Sequence, residues 1–153
     1  MSKIHQTLYE SNDFSKLNIK TYITSLVNDI KESYAVNEKV ELKLEIDESI
    51  TIDLDSLIPF ALITNEIISN SFKYAFIERD LNLISIDIKQ TPNNKTSIKI
   101  GDNGVGLPKD FDWESPTSMG IDLIKTLSDQ LEGTIDVKSS DQGTSYLLTF
   151  VSK

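Results

Sequence analysis

Apolar residues at Tyr22, Ile23, Leu26, Val27, Ile30 and Tyr34 recur at intervals of three and four, which lays them along one stripe of a helix. Ile4 and Leu8 fit the tail of an earlier helix. From Val40 to Asp47 apolar and charged residues alternate at every step, the pattern of a strand with one buried and one wet face. Between about Asp55 and Phe76 there is no glycine, and the single proline, Pro59, lies near the start, where a first turn tolerates it; the segment predicts one long helix. Alternation returns at Ile84, Ile86 and Ile88 and again at Ile98 and Ile100, joined by Pro92-Asn93-Asn94 as in a hairpin. Residues 101–118 are rich in Gly, Pro and Asp and read as a ligand loop. A helix is expected from Met119 to Leu131, with Gly120, Leu123, Ile124, Leu127 and Leu131 inward, Ser118 as N-cap and Gly133 as the stop. A last strand pair, about 134–138 and 144–151, meets at Asp141-Gln142-Gly143. This order predicts an α+β fold, helices covering one face of a mixed or antiparallel sheet.

The length of 153 residues suits one domain, and 39% hydrophobic with 25% charged residues is an ordinary globular composition. Fifteen Lys plus Arg against 24 Asp plus Glu leave a formal net charge of −9, which argues against nucleic acid as a partner. With no cysteine, a disulfide framework, a thiolate metal site and a cysteine nucleophile are excluded; with His5 alone, so is a multi-histidine metal site. No run of about 18 apolar residues occurs, and Met1 to Gln6 lacks the apolar core of a signal peptide, so a cytoplasmic location is expected.

Three places carry candidate chemistry. On the long helix Glu66, Asn70 and Lys73 share one line at i, i+4 and i+7, roughly opposite Leu57, Ala61, Ile68, Phe72, Ala75 and Phe76. A carboxylate, an amide oxygen and an ammonium in line can orient a hydroxyl, ligate a hard cation and neutralise a phosphate. A solvated ion pair would use the same spacing, but Leu62, Ile63 and Ile67 crowd that side and favour a half-apolar pocket. Asp102 shares strand parity with Ile98 and Ile100, which aims its carboxylate at the core side. It either accepts from a donor such as a purine amine, with Gly104 and Gly106 letting backbone approach a flat ring, or caps an Asp-Asn-Gly turn. Thr117-Ser118-Met119-Gly120 opens a helix, whose N-terminus suits an anion. No Walker pattern is present, and Lys109 stands where a G-x-G-x-x-G needs its last glycine, which excludes P-loop and Rossmann sites.

In order, Asn65-Glu66-Ile67-Ile68-Ser69-Asn70-Ser71-Phe72-Lys73-Tyr74-Ala75-Phe76, Asp102-Asn103-Gly104-Val105-Gly106-Leu107-Pro108, Ser118-Met119-Gly120-Ile121-Asp122-Leu123-Ile124 and Gly143-Thr144-Ser145-Tyr146 resemble the N, G1, G2 and G3 boxes of the GHKL ATPases. The resemblance is closer to the catalytic ATP-binding domain of sensor histidine kinases, in the branch with the second HisKA type of dimerisation domain. It covers roughly residues 35–151, and Ile4 to Tyr9 resembles the end of that branch's dimerisation helices. It implies a Bergerat-type two-layer α/β sandwich over residues 19–153, with residues 1–18 a remnant of the dimerisation helix and linker.

The resemblance further implies that ATP and Mg²⁺ are bound and that the γ-phosphoryl group passes to a histidine outside this chain. Asn70 would ligate Mg²⁺, Glu66 would match the general base of gyrase-type relatives, Lys73 would contact phosphate and Tyr74 would flank the nucleotide. Asp102 would accept from the adenine amine with support from Thr144, while Gly104, Gly106 and Gly120 would frame a lid at about 107–118. Implied partners are the histidine-bearing dimerisation domain, a response regulator and a second copy of the parent kinase. Departures from the family pattern are Ser118 in place of a first glycine and Phe111-Asp112-Trp113 in place of a phenylalanine-rich motif; His5 matches a late dimerisation position rather than the acceptor. Two other readings use the same fold: a serine kinase of the anti-sigma type, and a nucleotide-binding interaction module without transfer activity.

Overall fold

The structure, a computed structural model, describes residues 13–33, 40–47, 50–72, 82–93, 95–107 and 120–151. Strands β1 (Asp13–Ser15), β2 (Val40–Ile46), β3 (Thr51–Asp53), β4 (Asn82–Gln90), β5 (Thr96–Asp102), β6 (Thr134–Ser140) and β7 (Gly143–Phe150) alternate with helices α1 (Lys16–Ser33), α2 (Leu54–Asn70) and α3 (Ile121–Gln130). Five strands form a mixed sheet in the order β2-β4-β5-β7-β6, with β2 and β4 parallel and the other neighbours antiparallel. This is the expected α+β sandwich. The small antiparallel ribbon β1-β3 is additional, built from three-residue runs too short to show an alternating pattern.

Register stacks the isoleucines. Ile86 lies opposite Ile100, which lies opposite Tyr146, and Ile88, Ile98 and Leu148 repeat the row two residues on. All six are buried, as period-two alternation requires when helices cover one face. Branched side chains suit these rows because their restricted rotamers already fit a pleated surface. On α1 the stripe extends one step further back than the sequence pattern, to Ile19.

Asp53 caps α2, its Oδ2 accepting from the Ser56 N–H at 3.2 Å. Pro59 falls in the second turn rather than the first, so the Asp55 carbonyl loses its helical donor, at a residue exposed to solvent. Leu57, Phe60, Ile63, Ile67 and Ile68 are all buried, which makes α2 the central helix; only Leu62 on the side predicted to line a pocket is exposed. Its last turn widens at Ser71 and Phe72, and the expected end at Phe76 lies outside the described residues.

Three expectations for α3 are corrected. Its N-cap is Gly120, in the left-handed region at φ 71° with no side-chain cap bond, and Ser118 lies outside the described residues. The inward face is Ile121, Ile124, Leu127 and Ser128, while Leu123 is 44% exposed: the helix begins two residues later than expected, and its buried stripe is centred toward Ile121 and Ser128 and away from Leu123. Gly133 is not the left-handed stop either. The N–H groups of Glu132 and Gly133 bond to the carbonyls of Asp129 and Ser128, closing a Schellman motif whose left-handed residue is Glu132 at φ 54°.

Candidate functional site

The last residue of β5 is Asp102, and register sets it between Ile84 and Thr144 on the helix-covered side. Its carboxylate collects three donors from three elements: the Ser71 hydroxyl at 2.7 Å on Oδ2, and the Gly104 and Thr144 N–H groups at 2.9 and 3.3 Å on Oδ1. The Gly104 bond is a turn cap, so turn and core-facing carboxylate coexist. A carboxylate offers about four acceptor sites, which leaves room for one further donor. Asn103 then pins the loop to β4, its side-chain oxygen accepting from Leu83 N–H at 2.8 Å.

The loop after Asp102 and the β6-β7 hairpin grip each other. At Gly106 (φ 85°) a Cβ would strike the Ser140 carbonyl, and at Gly143 (φ 141°) one would strike the Asp102 carbonyl. Only glycine permits both conformation and approach. Beside these contacts Ser139 Oγ accepts from Leu107 N–H at 2.7 Å and lies 3.0 Å from Thr144 Oγ1.

From the helical side come Ile67, Asn70 and Ser71, which with Asp102, Thr144 and Tyr146 line a cavity of about 10 Å³, the space of one water. Asn70 is only 6% exposed, so it belongs to the interior, beside Ile67 in the cavity, and not to a solvated polar face. Its side chain hydrogen-bonds Tyr146. Burial pushes the Tyr146 phenol up to about 12; the Asp102 charge acts the same way, while the Asn70 bond opposes it. One turn earlier on α2 Glu66 is half-buried with its carboxylate against Gly120, where any Cβ would collide with it. The positive end of α3 therefore already faces a carboxylate.

Of the sequence-predicted residues, Asn70, Asp102, Gly106 and Thr144 meet around one cavity, Gly104 backs the Asp102 carboxylate, and Glu66 and Gly120 touch one turn away. Lys73, Tyr74, His5 and all of the 107–118 lid except Leu107 lie outside the described residues. Sequence reasoning missed Ser71, Tyr146 and Ser139. Strand parity with Thr144 was the signal for Tyr146; Ser71 reaches Asp102 and Ser139 reaches Leu107 across 31 and 32 residues, pairings that no local pattern encodes. Among the described residues no three acidic or metal-binding side chains cluster, and no helix is long and apolar enough to cross a membrane.

Residues 56–152, more than half of the chain, match the family model described as histidine kinase-, DNA gyrase B-, and HSP90-like ATPase, and residues 1–34 match a model described as histidine kinase. The blue-light-activated histidine kinase 2 of Erythrobacter litoralis is 20% identical over 122 residues, covering 80% of this chain and 34% of that protein. The sensor histidine kinase YxdK of Bacillus subtilis is 24% identical over 151 residues, covering 86% of this chain and 45% of the relative. The chain thus spans less than half the length of these curated relatives. The solved histidine kinase domain of the Erythrobacter litoralis EL346 blue-light activated kinase superposes with a TM-score of 0.79 at 16% identity, covering 97% of this chain and 76% of that one.

Proposed function

Because the chain belongs to the histidine kinase-, DNA gyrase B-, and HSP90-like ATPase family, we propose that it is the catalytic and ATP-binding domain of a two-component sensor histidine kinase. It binds Mg-ATP and passes the γ-phosphoryl group to a histidine on the kinase's dimerisation domain, outside this chain. Residues 1–18 are the remnant of a dimerisation helix and linker, and residues 19–153 are the catalytic domain. Its protein partners are that dimerisation domain in a homodimeric parent and a response regulator, and it works in the cytoplasm.

The observation that carries this reading is the meeting of Asn70 from α2 and Asp102 from β5 across one cavity, with Glu66 a turn away on the same helix. Asp102 accepts from the exocyclic amine of adenine using its remaining acceptor site, and Thr144 supports that contact. Tyr74 flanks the nucleotide, Lys73 contacts phosphate, and Gly104, Gly106 and Gly120 frame the lid. A nucleotide enters with displacement of the walls around the present one-water cavity. The Asn70 amide oxygen on α2 would hold Mg²⁺, an oxygen donor of the kind a hard cation prefers, with the nucleotide phosphates supplying the rest. Mg²⁺, when bound, neutralises charge on the transferring phosphoryl group. Glu66 takes the proton that the attacking group releases. The domain's remaining work is positioning, which suits a rigid carboxylate floor and a fixed helix.

Calorimetric titration with and without Mg²⁺ tests this. Asn70→Ala is expected to abolish most of the Mg²⁺-dependent gain in ATP affinity, and Asp102→Ala to weaken ATP and ADP alike by roughly 10- to 150-fold, the value of a hydrogen bond to a charged group. Unchanged Mg-ATP affinity in Asn70→Ala refutes the metal assignment, and selective loss of one nucleotide in Asp102→Ala refutes the adenine assignment. The chain alone is expected to bind nucleotide with little autophosphorylation, and to phosphorylate an added histidine-bearing dimerisation domain.

A further inference from the structure

Ser139 stands at the exposed end of β6, outside every motif of the sequence, yet its hydroxyl joins the two loops of the site. Ser139 Oγ accepts from Leu107 N–H at 2.7 Å and sits 3.0 Å from the hydroxyl of buried Thr144. Thr144 in turn donates its N–H to Asp102 Oδ1, and both residues line the one cavity. The backbones here are fixed by the close approaches at Gly106 and Gly143. The hydroxyl protons are what remains adjustable.

A serine hydroxyl has one proton and two lone pairs, and the Leu107 N–H occupies one lone pair. Thr144 either gives its proton to the second lone pair or receives the Ser139 proton. In the first arrangement the Thr144 hydroxyl has only lone pairs left for the cavity it shares with the Asp102 carboxylate, setting acceptor beside acceptor. In the second its proton points into the cavity, within the field of that carboxylate, which is the lower-energy choice.

We infer that Ser139 donates to Thr144 and thereby makes Thr144 a donor beside the Asp102 acceptor, an array that selects purines with an exocyclic amine next to an unprotonated ring nitrogen. Purines with a carbonyl next to a ring N–H present the reverse pattern and leave both protein groups unmatched. Ser139 is then a positioning residue that sets base choice without touching the ligand. This rests on the nucleotide reading above.

Titration with ADP and inosine diphosphate, which differ only in that amine-for-carbonyl edge, tests it. The unaltered chain is expected to prefer ADP. Ser139→Ala is expected to reduce the preference about three- to tenfold, by weakening ADP, the range of one hydrogen bond. Ser139→Thr, which keeps a hydroxyl, is expected to restore it. General loosening of the hairpin would weaken both nucleotides equally, so equal weakening, an unchanged ratio in Ser139→Ala, or Ser139→Thr behaving as Ser139→Ala overturns the inference. If the unaltered chain binds neither nucleotide, the ATP-binding reading falls and takes the inference with it; if ADP binds well and only the ratio refuses to move, the inference alone falls.

Discussion

The same strands build two unlike faces. Even positions of β4, β5 and β7 turn isoleucine, tyrosine and leucine toward the helices, and the hollow they leave with α2 holds about 10 Å³. On the other face lies a trough of about 560 Å³, lined by Lys43, Glu45, Asp87, Lys99 and Lys138 over a floor of Ser85, Gly101 and Ser145. Volume alone would choose the trough. Chemistry chooses the small cavity: Asp102 and Thr144 border both hollows, but Asn70, buried at 6% exposure, lines the small one and meets there the Asp102 carboxylate with its three donors, an arrangement that is costly to desolvate unless its partners are fixed. In the trough water solvates charges of both signs, which nearly cancel, at little cost. Burial of a polar group is not sufficient by itself: Asn82 is fully buried with neither amide atom hydrogen-bonded, yet it lines neither hollow.

Two adjacent residues of β4 put the contrast to its hardest test. Ile86 is 1% exposed on the helical side, and Ile86→Ala is expected to cost about 2–5 kcal/mol through lost transfer energy and a residual cavity. Its neighbour Ser85 faces the trough, and Ser85→Ala is expected to stay within about 0.5 kcal/mol. Urea midpoints of the two variants decide the matter; comparable losses would mean that the faces differ in composition but not in energetic weight.

A somewhat smaller effect comes from alkali. Tyr22 on α1 and Tyr146 on β7 both belong to the helical layer, and burial raises each phenol from 10.0 to about 12. For an acid whose folded pKa lies above its unfolded value, the associated stability is complete below pH 10 and is lost as pH climbs from 10 to 12. Each phenol contributes about 2–3 kcal/mol over that window. Urea melts at pH 9 and pH 12 should therefore diverge, and Tyr22→Phe or Tyr146→Phe should each remove a share of the divergence. Among the described residues no tyrosine lines the trough, so equal sensitivity in both single variants and the unaltered chain would assign the alkaline loss elsewhere.

Much of this layering was legible because period two and period three-to-four are geometric facts about strands and helices. The isoleucine rows gave the hairpin β4-β5, and parity carried Asp102 to the correct side. What escaped has a common cause in tertiary context. Ser71 reaches Asp102, 31 residues away, and Ser139 reaches Leu107, 32 residues away, pairings that exist only once the sheet has registered. Leu123 fits an inward stripe on spacing alone, yet the packed helix buries Ile121 and leaves Leu123 exposed. For residues 73–81 and 108–119, which include Lys73 and Tyr74, sequence remains the source of the reading.

The smallest effect is expected where the chain leaves the helical layer for edge strand β6, and there the two adjacent residues should respond in opposite directions. Glu132 holds the left-handed position of the Schellman motif, a conformation whose Cβ crowds the following carbonyl. Glu132→Gly removes that strain while making the unfolded chain looser, and the balance is a gain of about 0.5–1 kcal/mol, or roughly 1–4 °C in Tm at this chain length. Gly133 is needed for a different reason: a Cβ there would sit 2.6 Å from the Thr149 carbonyl oxygen and 3.0 Å from Phe150 Cβ, on the neighbouring strand β7. Gly133→Ala should therefore destabilise. Had Gly133 been the left-handed residue, as the sequence suggested, Glu132→Gly would gain nothing, so thermal melts of this pair distinguish strain at the helix cap from crowding at the sheet.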